Sequence, residues 1–166
     1  VRLRGTSQLS AAEWASKLES RAVSLSAYSG RNTYGLNAAG LSEDWPLMLN
    51  TVAECLIDSQ FPADEIEKQR AFQLADIQRS LEKPMTHAQQ MVRDAFFPGH
   101  PYQYSSLGNT ESVSALTRDD IVAHHRRLLV GSNVVVAVFG NINAAEVVAQ
   151  VETGFAPLPP GVAPTW

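Results

Sequence analysis

The 166-residue chain predicts an α+β fold in which helices cover one face of a mostly antiparallel sheet. Three observations carry that expectation. Residues 23–40 alternate with a period of two about a central turn, which is hairpin behaviour. Residues 42–97 then carry successive blocks of helical periodicity with no strand between them. Finally, the run NVVVAVF at 133–139 is apolar without alternation, the pattern of a strand buried on both faces. Strands separated by blocks of helices are the signature of α+β rather than alternating βαβ units.

Ser10-Ala11-Ala12-Glu13 is a capping-box pattern that opens a first helix, on which Trp14 and Leu18 share a face. In VSLSAYSGRNTYGLNAAG, Val23, Leu25 and Ala27 alternate with polar residues, and Ser29-Gly30-Arg31-Asn32 interrupts them. Tyr34 and Leu36 resume the period, giving two strands with one dry face. After Ser42-Glu43-Asp44, the residues Trp45, Met48, Leu49, Val52, Ala53, Leu56 and Ile57 form a wide helical stripe. Pro46 sits in its first turn, where a missing N–H costs nothing.

Phe61-Pro62 ends that helix and opens the next, EIEKQRAFQLADIQRSLEKP, with the stripe Ile66, Leu74, Ile77 and Leu81 and a stop at Pro84. A further helix is expected over roughly 85–97, closed by Phe97-Pro98-Gly99. His100–Thr110 reads as a loop. Thr117-Arg118-Asp119-Asp120 is a second capping box, followed by the strand at 133–139 and a last helix over 143–153. A single domain is expected over residues 1–155. The tail 156–166, rich in proline, is expected to be an extended linker to a following domain.

Composition excludes several functions. Net charge is −4 and no run of Lys or Arg exceeds two residues, so there is no basic stripe for nucleic acid. No apolar run approaches the roughly 20 residues of a membrane helix. Cys55 is the single cysteine, so neither an internal disulfide nor a cysteine zinc cluster can form. Its apolar helical setting suits a buried inert thiol better than a nucleophile. The four histidines, 87, 100, 124 and 125, offer no i,i+4 pair for zinc; His124 and His125 are adjacent and read as surface residues of one helix. There is no G-x-S-x-G elbow and no phosphate loop. On the helix at 65–84, Gln69 and Asp76 lie two turns apart and so on nearly one side. From the residues alone, that side is a polar flank with one acid.

In order along the chain, RGT, GLSEDWPLMLNTVAECLIDSQFP, EIEKQRAFQLADIQRSLEKP, HPY, Gly108 and ALTRDDIVAHHRRLLVGSNVVVAVFGNINAAEV resemble the insulinase/pitrilysin-like zinc metallopeptidases. These inverzincins include mitochondrial processing peptidase and its non-catalytic relatives. The long helix is similar to their E-x-E-x-x-R…E-E-I…P pattern, and the remainder to H-P-Y-G…G…L-T-x-x-D-L…N…G-D-I-x-x-E, with Gly140-Asn141-Ile142 at the G-D-I position. The resemblance covers nearly the whole chain.

It implies a closed chamber of two halves. One half carries zinc on an H-x-x-E-H helix completed by a later Glu, and the other supplies a chamber wall. That later Glu falls at Asp76, one methylene shorter, and a supporting Glu falls at the uncharged Gln69. Drawing a carboxylate back by one methylene defeats zinc geometry, whose tolerance is about 0.2 Å. The resemblance therefore implies an inactive peptidase domain: no catalytic or metal residue here, Asp76 and Gln69 as degenerate positions, and zinc in the catalytic half. Its partners would be that half, in the same or a partner chain, and an unfolded peptide, with no nucleic acid and no membrane span. Two other readings remain: an active zinc endopeptidase whose H-x-x-E-H helix lies upstream of Val1, and a structural subunit like the family's core proteins.

Overall fold

The computed structural model describes residues 11–164. The chain divides into two compact units, one of residues 1–61 with 122–166 and one of residues 62–121. Ser10 of the expected first capping box and the RGT segment lie outside the described residues.

The first unit begins with α1 (Ala11–Glu19), whose Trp14 and Leu18 are buried with Val23, and Leu25, Leu47 and Met48 pack on them. A tight reversal after α1 places Val23 N–H on the Leu18 carbonyl at 2.9 Å and holds Ala22 at φ +52°. The hairpin follows as expected: β1 (Ser24–Ser29) pairs antiparallel with β2 (Tyr34–Ala39), Ser24 facing Ala39 and Ser29 facing Tyr34. Gly30 N–H closes its turn on the Thr33 carbonyl at 2.8 Å.

A single 3-10 turn, Ser42–Asp44, leads into α2 (Trp45–Ile57), with Pro46 in its first turn. Asp44 is buried, and its carboxylate takes both Arg21 Nε at 2.8 Å and Arg21 Nη2 at 2.6 Å, which offsets the cost of burying the charge. α7 (Ala144–Phe155) starts at Asn143, whose side chain accepts from the Ala145 N–H, and it packs on α2. Leu49, Ala53 and Phe155 form the second core, and Gln150 donates to Asn50 across the same helix pair at 2.9 Å. The tail is pinned at its start, where Gly131 N–H donates to the Pro159 carbonyl and Ser132 Oγ to that of Gly161.

The expected strand at 133–139 is corrected by the structure. Among the described residues the sheet contains β1 and β2 alone, and Val134–Phe139 lies outside any helix or ladder. Nor is it buried on both faces. Val134 and Val136 turn onto the Leu49–Phe155 core, while Val135 and Phe139 are each 92% exposed. A run of β-branched residues signals extended backbone, but strand identity needs a paired neighbour.

In the second unit, α3 (Ala63–Leu81) buries Ile77 and half-buries Ile66 and Leu74. Leu81, expected in the same stripe, is exposed instead, because α3 ends there and the chain turns at Lys83-Pro84 into α4 (Pro84–Phe96). The 100–110 segment contains a 3-10 turn at Pro101–Gln103, where His100 Nδ1 accepts the Tyr102 N–H at 3.1 Å.

A short helix that the periodicity did not reveal, α5 (Thr110–Ala115), is opened by a reciprocal capping box between Asn109 and Ser112. Its Val113 is buried. The second expected capping box forms: Thr117 Oγ1 accepts the Asp120 N–H and Asp120 accepts the Thr117 N–H, at the head of α6 (Arg118–Leu128).

Candidate functional site

The sequence directs attention to α3. Asp64 and Glu65 occupy its first turn and Arg79 its last, each complementing the helix dipole. Lys68 bridges Asp64 and Glu65 one turn back. Its apolar stripe faces its own unit, which leaves Gln69, Phe72, Asp76 and Arg79 on the exposed side. Gln69 and Asp76 thus sit where the two-turn spacing places them. The Asp76 carboxylate is ion-paired with Arg79, three residues on. Gln73, between them in sequence, is instead half-buried and donates to the Leu107 carbonyl at 2.9 Å.

Chemically, this flank holds one exposed carboxylate neutralised by a guanidinium. Among the described residues, no three His, Cys, Asp or Glu side chains gather where a metal could be held. Asp76 by itself does not fit zinc, which needs at least three protein ligands, and no step through zinc is derived from this chain.

The histidines have local roles. His100 caps the 3-10 turn and lies among Phe97 and Tyr102. His125 departs from the surface position expected of it. It is half-buried, its Nε2 donates to the Leu56 carbonyl at 2.9 Å, and its ring meets Phe61 edge-on with centroids 5.1 Å apart. Burial lowers its pKa below the ordinary histidine value, against the Leu56 bond, which raises it. The single i,i+1 histidine pair gave no sign of this, since only the packing of α6 distinguishes the two. The Cys55 thiol is half-buried, and burial followed by the Glu54 charge pushes its pKa up to about 11, so it is not a thiolate at neutral pH.

Two features were not assigned from the sequence. Arg70 reaches from α3 to the backbone carbonyls of Val113, Ser114 and Leu116 at the end of α5 while pairing with Glu67. The signal was the Arg of the E-x-E-x-x-R spacing, but its acceptors are backbone atoms more than forty residues away. In the first unit, an open apolar groove of about 560 Å³ runs between Val136–Ile142 and α7, floored by Val147, Val148 and Val151.

Two family models match the chain: insulinase (peptidase family M16) over residues 2–110, and peptidase M16 inactive domain over residues 115–165. The chain is 29% identical over 152 residues to an uncharacterized zinc protease of Mycobacterium leprae, covering 92% of this chain and 34% of that protein. It is 27% identical over 165 residues to the mitochondrial-processing peptidase subunit beta of Blastocladiella emersonii, covering 97% of this chain and 35% of that one. Its fold is similar to that of the crystal structure of a peptidase M16 inactive domain from Pseudomonas fluorescens. That match has a TM-score of 0.87 at 21% identity over 99% of this chain and 40% of the other. The chain thus spans about a third of the length of these curated relatives. With the first model matched over well more than half of its residues, the chain belongs to the insulinase family of peptidases, M16.

Proposed function

We propose that this chain is a non-catalytic, peptidase-like part of a zinc-dependent metalloendopeptidase. It packs against the catalytic half and lines the chamber that holds an unfolded peptide. The carrying observation is the exposed flank of α3. Where the resemblance implies two glutamates, the chain has an uncharged Gln69 and an Asp76 whose carboxylate is occupied by Arg79. The match of residues 115–165 to the inactive-domain model supports the same reading, and the names of the curated relatives support zinc in the full-length protein. In this reading, residues 1–155 form the peptidase-like domain and the proline-rich residues 156–166 lead to the next one.

The test is made on the full-length protein, with zinc measured by elemental analysis and cleavage followed on an unstructured peptide. Asp76→Asn is expected to leave zinc content and kcat/KM within about twofold of the parent, because a paired surface carboxylate contributes little beyond its own site. Loss of zinc on that substitution would make Asp76 a ligand and overturn the proposal in favour of an active zinc site.

A further inference from the structure

α4 presents the wrong face to its own unit. The side chains of Thr86, Gln90 and Arg93 are the half-buried ones. Gln90 donates to the Gln103 carbonyl at 3.0 Å, and Arg93 donates to Gln90 Oε1 at 2.8 Å. The apolar side chains point outward: Met85 is 72% exposed, Met91 61%, Val92 56% and Phe96 76%, with Ala88 and Ala95 exposed among them. An amphipathic helix ordinarily does the reverse, and a contiguous exposed apolar face marks a surface that something covers.

The spacing says what kind of element fits. Met85, Ala88, Val92 and Ala95 follow intervals of three, four and three, a heptad seam two turns and more in length. The two alanines are gaps between larger side chains, into which a neighbouring helix inserts its own large residues at a shallow crossing angle. The size says where that helix comes from. A helix of 13 residues is about 20 Å long, and its single face falls well short of the roughly 800 Å² per partner that a stable association of separate molecules needs. A helix of the same polypeptide avoids most of that association cost. The curated relatives leave room for it, since the chain spans about a third of their length.

We propose that the outward face of α4 is the seat of an amphipathic helix supplied by the remainder of the full-length protein. This inference rests on the reading of the chain as one part of a larger peptidase, and identifies the surface by which it packs.

The probe is oxidation by hydrogen peroxide, read residue by residue by mass spectrometry, in the full-length protein native and in denaturant. Met85 and Met91 are expected to oxidise about tenfold more slowly in the native protein than in the unfolded one, since a covered thioether is reached only through local opening. Ala88→Glu keeps a good helix former but places a charge in the seam, and is expected to restore fast oxidation at both residues while leaving Met48 protected. Native oxidation of Met85 and Met91 within about twofold of the unfolded rate would overturn the proposal. So would protection that vanishes on dilution to nanomolar protein, which would mean a second copy, or protection that requires added peptide, which would mean substrate. Zinc content of the same samples reports separately: protection together with loss of zinc in Asp76→Asn would leave this seat standing and overturn the non-catalytic reading.

Discussion

Arg70 of α3 donates to the carbonyl of Leu116 at 2.6 Å, one residue beyond the end of α5. The same guanidinium reaches the carbonyls of Val113 and Ser114, so one side chain satisfies the acceptors that a helix C-terminus leaves without partners. Because the charge meets several carbonyls at once, Arg70→Ala is expected to cost about 2–3 kcal/mol in urea unfolding. Arg70→Lys should recover less than half of that, since an ammonium cannot fork across neighbouring carbonyls. Equal stability of the two variants would mean that packing of the stem, and not the fork, carries the effect.

Tyr28 and Gly35 face each other across the hairpin, and the tyrosine ring lies over the glycine. A Cβ at position 35 would meet the Tyr28 hydroxyl at 2.8 Å and two of its ring carbons at 3.0 Å. Gly35→Ala is therefore expected to destabilise the protein by about 1–2 kcal/mol. In the Tyr28→Ala background the same change should be close to neutral or favourable, because alanine suits a strand better than glycine. A double-mutant cycle in thermal melts checks this, with additivity as the refuting result.

Ala22 holds φ at +52° in the reversal between α1 and β1. A side chain there meets its own backbone, at a cost of roughly 1–2 kcal/mol that glycine does not bear. Set against the greater freedom of glycine in the unfolded chain, Ala22→Gly is expected to stabilise by about 0.5–1 kcal/mol. A lower melting temperature would show that the turn is held by more than its backbone angle.

His125 introduces a pH dependence whose sign is fixed by burial. Its folded pKa lies below the ordinary value of 6.5, so near and below that pH the unfolded chain takes up the proton more readily. The stabilising contribution is fully present above pH 6.5 and is lost as the pH falls through the folded value. Stability measured from pH 7.5 down to 5 is expected to drop, and His125→Gln, which retains a donor toward the Leu56 carbonyl, should flatten that drop. An unchanged slope would refute the assignment.

Much of the architecture was legible because it is written in local chemistry. Pro46 in a first turn, the Thr117–Asp120 box and the period-two hairpin are each decided within a few residues, and each stands where expected. The α5 helix was not legible by periodicity, because six residues are too few to repeat; its Asn109–Ser112 capping box was the available sign. On α3, the seven-residue spacing from Gln69 to Asp76 sufficed to place both on one flank.

What the sequence by itself determined was therefore the longer helices, the hairpin and the family pattern, all of which depend on neighbours along the chain. Tertiary structure alone decided the rest. It settled that Asp76 is held by Arg79, that His125 turns inward while His124 stays exposed, and that Val134 and Val136 lie on a core without a ladder. It also turned the polar face of α4 inward. Periodicity determines that a helix has two faces. Which face is covered depends on groups distant in sequence, such as the Gln103 carbonyl that Gln90 reaches, and only packing brings those groups together.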